Sequence, residues 1–95
     1  MDDGKAYLTT HAVDRFFQRV GGDRQACLGS LRRSRPAPPW MVRASRRYVR
    51  PGKPRNTAWN GTPRDYRIDE ANGAIFVLIG RAVVTVFALA SVVEL

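Results

Sequence analysis

The spacing of apolar residues changes twice along this chain, and each change marks a different kind of element. Between Thr9 and Gly22, Val13, Phe16, Phe17 and Val20 recur at helical spacing, with His11, Asp14, Arg15, Gln18 and Arg19 on the other side. Thr9 or Thr10 can cap this helix, and Gly21-Gly22 can end it. A second helix is predicted after Asp23 as N-cap, running to about Ser34 with Ala26, Cys27, Leu28 and Leu31 as its apolar residues. Gly29 within it costs about 1 kcal/mol of propensity. Pro36, Pro38 and Pro39 then make a stiff extended connector.

The second half reads as strands. Trp40 to Val49 is expected to be a strand with mixed faces, lying near an edge of the sheet. Arg50 to Arg64 holds three Pro, two Gly and two Asn and reads as loop. Tyr66 to Ile68 begins another strand, and residues 69–73 form a turn ending in Asn72-Gly73. The run from Ala74 to Val93 is about as long as a membrane span. Gly80-Arg81 near its middle and the dominance of Val and Ile instead predict a hairpin, 74–79 and 82–90, around a type II′ turn. The expected fold is α+β: a single domain over residues 1–95, with two N-terminal helices packed on an antiparallel sheet of about four strands.

Charge sharpens this picture. The chain carries +8 overall, but residues 24–67 hold eleven Arg and one Lys against the single acid Asp65, a net +11. That leaves −3 for the rest, so the positive potential belongs to the middle segment. Nucleic acid, an anionic surface or an acidic protein is the partner class this implies. One cysteine, Cys27, excludes an intrachain disulfide and any multi-cysteine zinc site. With one His and scattered acids no metal or other cofactor is expected, and nothing resembles a phosphate-cradling glycine loop. The Met1-Asp2-Asp3 opening lacks a leader pattern, so a cytoplasmic, reducing setting and no membrane are expected.

Three groups of residues can carry chemistry. His11, Arg15 and Arg19 lie at i, i+4 and i+8 on one helical stripe, where a neutral-range base and phosphate-holding guanidinium groups suit RNA cleavage by 2′-hydroxyl attack. The same residues also fit phosphate contact alone or a purely structural role. Arg43, Arg46, Arg47, Tyr48 and Arg50 are the densest basic-aromatic cluster; on a strand, Arg46, Tyr48 and Arg50 share a face suited to single-stranded RNA. Tyr48 is also a candidate for proton transfer. Arg55 and Trp59, in the polar loop, extend the candidate binding surface, whereas Trp40 and Tyr66 read as anchors of the core or loops. Arg81 falls at the hairpin tip, and Thr85 interrupts the last strand. Cys27, on the apolar side of the second helix, reads as packing rather than nucleophile.

The pattern His11-Ala12-x-x-Arg15-x-x-x-Arg19, followed by the basic middle and by Val83-Val84-Thr85-Val86, resembles small proteins of the RelE/ParE-like toxin superfamily with a His-Ala-x-x-Arg first helix. The resemblance implies a helical hairpin on a four-stranded antiparallel sheet, and in many members a metal-independent endoribonuclease, although others poison gyrase. Carried onto this sequence, Tyr48 or His11 would take the 2′-hydroxyl proton, while Arg15, Arg46 and Arg81 would hold the scissile phosphate. Thr85 would stand near the working face of the sheet. RNA or the ribosome is then the expected partner, with or without cleavage. The alternative is a non-enzymatic interaction protein, of phage or toxin type, that binds an acidic antitoxin or a host enzyme. The oligomeric state is left open.

Overall fold

The Thr9 side chain starts the fold by doing two jobs at once. Its hydroxyl accepts from the Ala12 amide (3.2 Å) as N-cap of α1 (Thr10–Arg19) and donates to the Val83 carbonyl (2.6 Å), fixing the helix to the sheet. In the computed structural model, which describes residues 6–47 and 64–93, α1 ends where Val20 and Gly21 both donate to the Phe16 carbonyl at 2.8 Å and Gly21 and Gly22 take positive φ. Asp23 caps α2 (Arg24–Arg33) by accepting from the Ala26 amide at 2.9 Å. Both helices stand where the caps predict. The buried side of α1 is Ala12 and Phe16, however, and Phe17 is 67% exposed rather than in the core.

The segment expected to be an arginine-rich strand is a helix, α3 (Pro39–Arg47). Pro39 at its first position is preorganised for helix, and Met41 and Ser45, four residues apart, form its buried side. Arg and Ala also favour helix, and they outweigh the alternation that suggested a strand. The connector before it contributes Arg35–Pro36 as a short edge strand, β2.

The strands are β1 (Tyr7–Leu8), β3 (Asp65–Asp69), β4 (Ala74–Ile79) and β5 (Ala82–Ala88), in the order β1-β5-β4-β3-β2. Gly80, at φ +61°, and Arg81 form the two-residue turn between the paired Ile79 and Ala82, as the sequence predicts. Among the described residues the sheet has five strands rather than about four, and it is mixed because β1 runs parallel to β5. Strand β5 ends two residues earlier than expected, and the chain continues into α4 (Leu89–Val93). Val77 pairs with Thr85 and Leu78 with Val83, so Val84 is the extra residue of a β-bulge.

The two N-terminal helices pack on one face of the sheet, and α3 and α4 cover the other. On the first face, Ala12 and Phe16 of α1 and Cys27 and Leu31 of α2 pack on Ala74, Phe76, Leu78, Val83 and Val86. The Phe16 and Phe76 rings stack with centroids 6.3 Å apart. On the second face, Met41 of α3 and Val92 of α4 pack on Tyr66, Ile68, Ile75 and Val77. Burial on both sides is why β4, central in the order, reads as an unbroken apolar run. No helix among the described residues is long and apolar enough to cross a membrane.

Candidate nucleic-acid interface

The stripe on α1 divides into groups with different tasks. His11 is exposed, with its pKa held below the usual histidine value of 6.5 by partial burial and by the charges of Arg15 and Arg19. The imidazole is therefore neutral at pH 7 and able to accept a proton. Arg15 donates to the Gln18 side chain at 2.8 Å. Arg19 turns back onto the sheet, donating to the Val86 carbonyl at 2.8 Å with its guanidinium 5.8 Å from the centre of the Phe87 ring. These contacts fasten the end of α1 to β5.

On α3 the structure gathers what a strand would have split. At 100° per residue, Trp40, Arg43, Arg46 and Arg47 occupy a sector of about 120°. All four are exposed, Trp40 at 51%. An aromatic ring beside three guanidinium groups supplies a stacking platform and phosphate contacts on one surface. Trp40, expected to be an anchor, is therefore part of the surface. Tyr48, Arg50, Arg55 and Trp59 lie outside the described residues.

The sheet separates the two groups. His11 and Arg15 ride on α1 over the first face, and Arg46 rides on α3 over the second. The candidate base on α1 and the candidate phosphate contact on α3 do not converge on one site. Arg81 is exposed at the β4–β5 turn, and Thr85 is half-buried beside the bulge opposite Val77.

A cleft of about 770 Å3 opens at that turn, between the start of β3, α2 and α3. Among the described residues, four arginines line it (Arg32, Arg64, Arg67 and Arg81) with one acid, Asp65. Its apolar wall comes from Leu28, Leu31, Leu78, Val42, Pro36 and Ala37. Arg67 is held in place by Ser34, donating from Nε to the hydroxyl (2.9 Å) and from Nη2 to the carbonyl (2.5 Å). The Arg64 Nε is buried and has no hydrogen-bond partner among the described residues.

Of these, only Arg81 was singled out from the sequence. The signal for Arg67 was the alternation Asp65-Tyr66-Arg67-Ile68-Asp69, which places three charged residues on one strand face. Cys27 is fully buried, and burial pushes its thiol up to about 11, which fits packing.

No family model, curated protein or solved structure matches this chain.

Proposed function

We propose that this protein binds single-stranded RNA through the outer surface of α3, without cleaving it. The observation that carries the reading is the exposed Trp40 set among exposed Arg43, Arg46 and Arg47 on one helix face. A partly exposed indole is a large apolar surface left in water, and bases stack on such rings with little regard to sequence. The net +11 of residues 24–67 supplies long-range attraction to the phosphate backbone. The RelE/ParE-like resemblance supports RNA as the partner. Separation of His11 from Arg46 by the sheet weighs against a cleavage site built from those two residues.

The test is a titration of single-stranded RNA, followed by anisotropy, between about 50 and 200 mM salt. Affinity is expected to fall steeply with salt, and each of Arg43→Gln, Arg46→Gln and Arg47→Gln to flatten the log–log slope by about 0.7. Trp40→Ala is expected to cost about 1–3 kcal/mol of binding. Incubation with RNA and with translating ribosomes, in the presence of EDTA, is expected to leave the RNA intact. No binding at the lowest salt, or saturable binding only to an acidic protein, would overturn the reading.

A further inference from the structure

We propose that the cleft at the β4–β5 turn binds a phosphate monoester with an organic group of nucleotide size, with Arg64 as the inner contact to the phosphate. The first observation is Arg64 itself. Its Nε is shut off from water with no hydrogen-bond partner among the described residues, so its charge has no hydrogen-bonded counterpart there, and an anion in the cleft that it lines would offset that charge. The second is the charge around it: among the described residues Arg32, Arg67 and Arg81 line the same cleft with one acid, Asp65. Arg67 is pinned by Ser34, so it presents a positive charge in a fixed position.

Size and lining then narrow the ligand. About 770 Å3 lies in the range of small-molecule sites and is far more than inorganic phosphate fills. The wall formed by Leu28, Leu31 and Leu78 gives phosphate no contact but suits the flat face of a base. An anionic head against arginine forks and a planar body against leucine is the chemistry of a nucleotide. The source is either a free nucleotide or the phosphorylated end of an RNA strand. The second source rests on the RNA-binding reading; the first does not.

The experiment titrates the full chain with adenosine 5′-monophosphate, uridine 5′-monophosphate, the parent nucleosides and inorganic phosphate, following backbone amides by NMR. The monophosphates are expected to saturate, shifting amides of Tyr66, Leu78, Gly80 and Arg81, and to bind at least about tenfold more tightly than the nucleosides or phosphate. Arg64→Gln is expected to weaken them by about tenfold or more, while Arg24→Gln, a charge-matched change at an exposed residue that does not line the cleft, shifts affinity less than about twofold.

Nucleosides binding as well as nucleotides, amide shifts clustered elsewhere, or a folded Arg64→Gln protein with unchanged affinity would overturn the proposal. Circular dichroism checks folding of Arg64→Gln. Should that variant unfold, Arg81→Gln on the exposed turn replaces it, and unchanged affinity there overturns the proposal equally.

RNA oligomers with a 5′-phosphate, a 3′-phosphate or neither identify the source. Tighter binding of a phosphorylated oligomer points to an RNA end, and equal binding of all three with the mononucleotide still bound points to a free nucleotide. A flat nucleotide titration alongside RNA binding that depends on α3 defeats the cleft and spares the RNA reading. The reverse result defeats the RNA reading and spares the cleft.

Discussion

The Ser30 hydroxyl donates a hydrogen bond to the Asp69 carboxylate across the packing of α2 on β3, with both residues buried. Arg33, one turn further along α2, reaches the same carboxylate oxygen at 3.4 Å. A carboxylate this deep is tolerated because both partners come from one helix, so the contact also fixes the position of α2 over the sheet. Asp69→Ala leaves the Ser30 hydroxyl buried and unpaired, and is expected to cost about 1–3 kcal/mol. In a domain of this size that lowers Tm by about 4–8 °C per kcal/mol. Ser30→Ala takes the closer of these two donors from the buried acid, so it is expected to destabilise as well. Thermal unfolding of either variant at the wild-type Tm would show that the contact contributes nothing.

Arg19 gives a second prediction, because the sequence and the structure assign it different work. Bound to the Val86 carbonyl and stacked near Phe87, it holds the end of α1 on β5. Arg19→Met is expected to destabilise by about 1 kcal/mol, since it removes both a charge-assisted hydrogen bond and a cation–π contact. The salt slope of RNA binding is expected to stay at the wild-type value. A flattened slope in a protein of unchanged stability would return Arg19 to the RNA surface.

Adjacent glycines offer a controlled comparison. Gly21 and Gly22 have φ of +99° and +105°, so any side chain is strained at either position. A Cβ on Gly21 would meet nothing within 4 Å, whereas one on Gly22 would lie 2.9 Å from the Ala26 Cβ. Gly21→Ala is expected to cost about 1–2 kcal/mol from the backbone alone, and Gly22→Ala distinctly more, because α2 must move to admit the methyl. Equal Tm losses in the two variants would show that α2 gives way freely.

The parts of this fold that could be read from sequence are those announced by local chemistry. Thr9 and Asp23 cap the first two helices, Gly21-Gly22 stops the first, and Gly80-Arg81 turns the hairpin. Elements defined by tertiary pairing gave no such sign. Strands β1 and β2 are two residues each and exist only because β5 and β3 offer edges. Helix α4 continues an apolar run whose period does not change at Leu89. In α3, Val42 and Ala44 alternate with Arg43 as they would in a strand, which masks the helix signals of Pro39 and of the Arg and Ala content. Misreading that segment split Arg43 and Arg47 from Arg46. The cleft was hidden for a different reason. Arg64 and Arg67 meet Arg32 and Arg81 through the register of β3 against β4 and the placement of α2, which no local spacing encodes.

The buried thiol of Cys27 gives the fold a dependence on alkaline pH. Its pKa is raised from about 9 to about 11, so the folded state retains a proton that the unfolded chain gives up. Stability from this group is intact below about 9 and is lost as pH rises toward about 11. Cys27→Ala is expected to flatten that part of the stability curve despite its cavity cost. Thiol reagents at pH 8 are expected to label Cys27 only as fast as the protein opens; rapid labelling of the native protein would contradict the buried placement.

His11 tests the non-cleaving reading most directly. Partial burial comes first among the causes that hold its pKa below 6.5, followed by the charges of Arg15 and Arg19, with Asp14 opposing. The folded state thus disfavours the imidazolium, and stability from this group, complete above 6.5, falls as pH drops through the lowered folded value. An NMR titration of the single histidine is expected to show a midpoint below that of an unfolded peptide, and Arg15→Gln to move it upward. The neutral imidazole at pH 7 is in the right form to act as a base, so protonation state alone does not disarm it. The arginines of α3 stand beyond the sheet from it, and Arg15 on its own helix is turned to the Gln18 side chain. His11→Ala is therefore expected to leave RNA affinity unchanged and to abolish no activity. RNA cleavage by the wild-type protein that fell about 10²-fold in His11→Ala, with an acid limb tracking the histidine midpoint, would place a catalytic site on α1 and overturn the binding-only reading.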